Sequence, residues 1–72
     1  MFSLYYFLNM IIGPEFVFCR IHELPEQKEI IRGFADDLLV KSKIKISKYD
    51  VISFYIINDD LFINVKEKET LK

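Results

Sequence analysis

The heptapeptide VISFYII, Val51 to Ile57, constrains this chain more than any other stretch. It carries no charge, and its β-branched and aromatic residues favour a pleated strand. Successive side chains of a strand point to opposite faces, so both faces of this one are apolar. One set is Tyr49, Val51, Tyr55 and Ile57; the other is Ile52, Phe54 and Ile56. A sheet built around such a strand needs cover on two sides. Seventy-two residues make a single domain, and a single small domain has few elements to offer as cover.

The flanking segments read as further strands. In KIKIS, Ile44 and Ile46 alternate with Lys43, Lys45 and Ser47, which predicts a strand with one wet face. Lys48-Tyr49-Asp50 then turns the chain into VISFYII. Asn58-Asp59-Asp60 suits a hairpin connection, and LFINVK returns from Leu61 to Lys66. These three strands form a meander. Upstream, EFVFCRI (Glu15 to Ile21) sets Phe16, Phe18 and Arg20 against Val17, Cys19 and Ile21, another alternating strand. Gly13-Pro14 is strong punctuation before it.

Between these strands, Pro25 to Lys41 has helical periodicity. Ile30, Ile31, Phe34, Ala35, Leu38 and Leu39 fall on one side, and Lys28, Glu29, Arg32, Gly33, Asp36 and Asp37 mostly on the other. Pro25 fits a first turn. Glu26 and Glu29 suit the positive end of the dipole, and Lys41 and Lys43 the negative end. Leu24 is a poor N-cap, and Gly33 weakens the helix by up to about 1 kcal/mol relative to Ala.

The opening MFSLYYFLNMII admits two periods. Phe2, Leu4, Tyr6, Leu8, Met10 and Ile12 would line a strand; Leu4, Leu8 and Ile11, with Tyr5 and Phe7 beside them, would line a helix. Tyr5-Tyr6-Phe7 tips the reading towards a strand. A spanning helix needs about 20 apolar residues, and this run stops at Gly13-Pro14-Glu15. A positively charged start and a small-residue cleavage site are both missing, so neither a secretion signal nor membrane insertion is expected.

The expected fold is therefore α+β: one helix packed on a mostly antiparallel four- or five-stranded sheet. The order is β-β-α-β-β-β, with α-β-α-β-β-β as the alternative. The domain runs from 1 to 66, and residues 67–72 form a disordered C-terminal tail.

The charge pattern argues against a general nucleic-acid binder. The formal net charge is −1, and backbone affinity for nucleic acid comes from neutralised phosphates. Residues 1–37 hold three basic and six acidic side chains, and residues 38–72 hold seven and five. The basic surplus gathers at Lys41, Lys43, Lys45 and Lys48. These lysines either keep a strand face wet or contact an acidic partner or phosphates. No arginine accompanies them for bidentate base readout.

Little else resembles a reactive site. Asp36 and Asp37 point about 100° apart on a helix, so their carboxylates do not converge. Arg32 with Asp36 and Asp37 with Lys41 make i,i+4 pairs, and Asp59 and Asp60 cap a turn. His22 has no nucleophile arranged around it. Cys19 sits in an apolar run and reads as buried and inert. One cysteine forms no intramolecular disulfide, which points to a reducing, cytoplasmic setting. Cys19 and His22 alone do not make a zinc site, which needs about four ligands. Neither glycine belongs to a phosphate-cradling loop. The chain is expected to be no enzyme, with no cofactor and no metal.

What remains is a small protein-interaction module. It binds a partner protein, or itself as a homodimer, through apolar and aromatic sheet surface, in the manner of an inhibitor or a regulatory or accessory subunit. Tyr5, Tyr6, Phe7, Tyr49, Val51, Tyr55 and Ile57 are the candidate interface. The alternative is a nucleic-acid-binding or transcription-accessory module using Lys41 to Lys48.

Overall fold

A computed structural model describes residues 2–69. It is an α+β fold with helices over one face of a four-stranded sheet. The elements are α1 (Leu4–Asn9), a 3-10 turn (Pro14–Phe16), β1 (Phe18–Glu23), β2 (Lys28–Phe34), α2 (Ala35–Lys41), α3 (Lys43–Ile46), β3 (Tyr49–Ile57) and β4 (Asp60–Glu67). The strand order is β2-β1-β4-β3. Two neighbouring pairs are antiparallel hairpins, and β1 runs parallel to β4 between them.

The fold class and the mostly antiparallel sheet are as expected from the sequence, but several elements differ. The opening segment is a helix. Ser3 is its N-cap, accepting from the Tyr6 N–H at 3.1 Å. Leu4 and Leu8, one turn apart, are fully buried, while Phe2, Tyr6 and Met10 are exposed. The helical period therefore wins over the strand period, and the aromatic triplet gives way to the cap.

The expected helix over Pro25–Lys41 is overturned in its first two-thirds. Lys28–Phe34 is strand β2, and only Ala35–Lys41 is helical. Ile30, Ile31 and Gly33 are weak helix formers, and β1 offers a hydrogen-bonding partner that an isolated helix lacks. Ile31 pairs with Ile21, and Gly33 with Cys19. Gly33 marks where strand gives way to helix. A Cβ there would stand 3.2 Å from Leu38 Cδ2, and φ is +156°.

KIKIS is not a strand either. Lys43–Ile46 is a single helical turn, closed by the Ile46 N–H to Ser42 O at 2.9 Å. Two positions along a helix turn about 200°, so Ile46 is buried while Ile44 is 81% exposed. The meander shrinks to the β3–β4 hairpin, whose turn is as expected. Asn58 and Asp59 both have positive φ, 50° and 70°, the signature of a two-residue primed turn. Strand β1 starts later than Glu15, because Gly13 at φ 67° and Pro14 launch the 3-10 turn.

The core lies between the helices and one sheet face. Leu4, Leu8, Ala35, Leu38 and Ile46 meet Cys19, Ile21, Tyr49, Val51, Leu61, Ile63 and Val65. At the far end, Glu67 still belongs to β4 and the Lys68 N–H bonds Lys48 O at 2.9 Å, so order runs past the expected boundary at 66. The rest of the expected tail, 70–72, lies outside the described residues. No helix among the described residues is long and apolar enough to cross a membrane.

Candidate protein-interaction surface

A bulge decides what β3 presents. Val51 pairs with Val65 and Ser53 with Asn64, which leaves Ile52 without a partner. One extra residue shifts the alternation to the other face. Before the bulge, Tyr49 and Val51 point into the core; after it, Phe54 and Ile56 take over the helix-side face. Ser53, Tyr55 and Ile57 move to the open face, pairing with Asn64, Phe62 and Asp60. The four residues expected to share one exposed face are thus split. Tyr49 and Val51 are buried, Tyr55 and Ile57 exposed.

The helices cover only the first part of β3. Phe7 of α1 reaches Phe54, with ring centroids 4.9 Å apart. Beyond that contact the hairpin is uncovered, and Ile56 is 70% exposed. From Ile52 to Ile57 only Ser53 is polar, and every large side chain is exposed. Strand β3 is also a sheet edge. Among the described residues its outer edge is used once, at its start. There the Val51 N–H donates to Phe2 O at 2.8 Å, and Ser3 makes an isolated bridge with Asp50. Phe2, just before α1, stacks on Tyr6 of α1, centroids 5.6 Å apart, which adds two exposed rings beside this edge. Of the other candidates on α1, Tyr5 and Phe7 are half-buried against the core.

The open sheet face is organised by Arg20, which the sequence did not single out. Its Nε donates to Asp60 Oδ2 at 3.0 Å, and its Nη1 lies 3.8 Å from Glu29 Oε1. Its guanidinium stands 5.7 Å from the ring centres of both Phe18 and Phe62. Arg32 pairs with Glu29 at 2.8 Å, not with Asp36. Asp60 is therefore a cross-strand ion-pair partner rather than a turn cap. Asp36 Oδ1 accepts from the Asp37 N–H at 2.8 Å, in the first turn of α2.

Phe62 is flanked on both sides. Tyr55 stacks on it at 5.2 Å and His22 at 5.7 Å. With both faces of Phe62 occupied, the row offers no free central ring for a nucleic-acid base. His22 Nδ1 and Asn64 Oδ1 are buried without a hydrogen-bond partner, and the two residues are register neighbours on β1 and β4. Cys19 and His22 lie on opposite faces of β1, so they do not converge on a common ion. Burial alone pushes the Cys19 thiol up to about 11. Tyr49 is also raised, by burial first and then by the carboxylates of Glu23 and Glu67.

The four lysines lie along the helical segment instead of a strand face: Lys41 ends α2, Lys43 and Lys45 are in α3, and Lys48 precedes β3. With Val40, Ile44 and Tyr49 they line a shallow open depression. Lys45 Nζ donates to Ile30 O at 2.9 Å, and Lys43 Nζ lies 5.4 Å from the Tyr5 ring centre. Two of the four are thus already engaged with the chain.

Comparison with protein families, with curated proteins and with solved structures finds no match to this chain.

Proposed function

We propose that this chain is a non-enzymatic protein-interaction module of a reducing, cytoplasmic compartment. It docks through the apolar edge and uncovered end of β3 and acts on its partner as an inhibitor or a regulatory subunit. One observation carries the reading: six consecutive exposed residues, Ile52 to Ile57, on a sheet edge with no charge. Natural edge strands are usually blunted by charge, proline or cover, so an apolar edge of this length marks a contact. The single cysteine, buried in the core, supports the compartment.

The nucleic-acid alternative draws less support. Lys43 and Lys45 are turned towards the chain itself, and Phe62 is stacked on both sides. A comparative capture experiment separates the two readings, with the full chain as bait in a lysate of its own source. Phe54→Lys with Ile56→Lys should reduce capture at least about tenfold, as expected for central interface residues. Lys43→Gln with Lys45→Gln and Lys48→Gln should leave it unchanged. Capture that is nuclease-sensitive and lost only in the lysine variant would overturn the proposal.

A further inference from the structure

We infer that the occupant of the β3 edge is a second copy of this chain, joined across a two-fold axis into a continuous eight-stranded sheet. The inference rests on the docking surface proposed above and names its partner.

The two sheet edges differ sharply. Strand β2 carries Lys28, Glu29 and Arg32, and Lys45 Nζ caps its Ile30 carbonyl at 2.9 Å. That edge is charged and partly closed. Strand β3 has no charge from Val51 to Ile57, and beyond the Val51 N–H its outer edge has no backbone partner among the described residues. An uncharged edge meets its own copy without placing like charges opposite each other.

Symmetry then brings together the two features each copy leaves open. Antiparallel pairing sets the start of one β3 beside the end of the other. With the axis perpendicular to the sheet, both helical layers lie on the same side. Helix α1 sits at the start of β3, where Phe2 holds the Val51 N–H and stacks on Tyr6. Phe54, exposed beyond its contact with Phe7, and the uncovered Ile56 sit towards the other end of β3, on the same face. Each copy's Phe2 and Tyr6 therefore approach the other copy's Phe54 and Ile56.

The alternation also fits. Centring the pairing on Tyr55 sets Phe54 opposite Ile56 of the second copy on the helix-side face. It uses Ser53 to Ile57 and stops before the stretch that Phe2 already occupies. A stable dimer buries about 800 Å² per partner, more than one short strand edge supplies. The rings of Phe2 and Tyr6 and the hairpin end enlarge the contact beyond the strand edge.

Sedimentation equilibrium on the purified full chain, from micromolar to millimolar concentration, tests this. The expected result is a twofold rise in mass with concentration. Ile56→Lys should abolish the rise while leaving the far-ultraviolet dichroism unchanged. Tyr55→Cys in a Cys19→Ser background should give a covalent dimer on mild oxidation, whereas Phe34→Cys on the opposite edge should not. The cross-link still decides the matter if Ile56→Lys does not fold. A monomer at every concentration, or cross-linking through position 34 alone, would overturn the inference. Should the pure chain stay monomeric while the Phe54→Lys, Ile56→Lys variant still loses capture from lysate, the second copy is excluded and the docking surface stands. Loss of neither would sink both.

Discussion

Cys19 and Gly33 are register partners near the open end of the β1–β2 hairpin, and each makes a measurable demand on its surroundings. The Cys19 thiol is raised from 9.0 to about 11 by burial. As pH rises above about 9, the unfolded chain loses this proton first, so the folded state binds more protons and stability falls with pH. The contribution is intact below pH 9 and lost progressively towards 11, on the order of 3 kcal/mol in all. Tyr49 acts in the same direction. Thermal melts between pH 7 and 11 should therefore fall more steeply for the parent than for Cys19→Val, which removes the thiol. Gly33→Ala would set a Cβ against Leu38 Cδ2 at 3.2 Å, where α2 closes onto the sheet. Urea denaturation is expected to show a loss of about 1–3 kcal/mol.

At the scale of elements, α1 shows how a short helix survives. It is only six residues long, and an isolated helix of that length is marginal in water. It holds because Ser3 caps it and Leu4 and Leu8 enter the core. Leu8→Ala should therefore cost about 2–5 kcal/mol, Ser3→Ala about 1 kcal/mol, and Met10→Ala almost nothing, read by chemical denaturation. Equal costs for Leu8→Ala and Met10→Ala would contradict the helical packing. The aromatic triplet favours a strand by propensity, and only the folded chain shows Ser3 acting as the cap. For β2 the period itself misled. Residues 30, 31, 34, 35, 38 and 39 do fall on one helical face, yet the first half of the segment pairs with β1. Likewise, Ile44 and Ile46 alternate in sequence, but one helical turn sends them to opposite sides.

For the molecule as a whole, the long-range pairing of β1 with β4 is decisive. Arg20 and Asp60, 40 residues apart, meet across it, and both hairpins are joined into one sheet. The same order leaves β3 at the edge. If two copies pair there, stability is linked to protein concentration. The melting temperature of the parent should rise with concentration, while that of Ile56→Lys should not. A parent melting temperature independent of concentration over two decades would count against pairing.

The sequence by itself determined the strands with strong local signals. Val51–Ile57, Leu61–Lys66 and the turn at Asn58-Asp59 are all legible because turn chemistry and alternation act between near neighbours. So were the α+β class and the excess of apolar surface over available cover. Only the tertiary structure decided that 28–34 is a strand, that β4 lies beside β1, and that the bulge at Ile52 buries Tyr49 and Val51 while exposing Tyr55 and Ile57. It also placed the lysines along the helical segment and gave Arg20 its partners. The physical reason is common to all of these. A strand's hydrogen-bonding partner comes from elsewhere in the chain, and so does the residue that a one-position shift turns inward or outward.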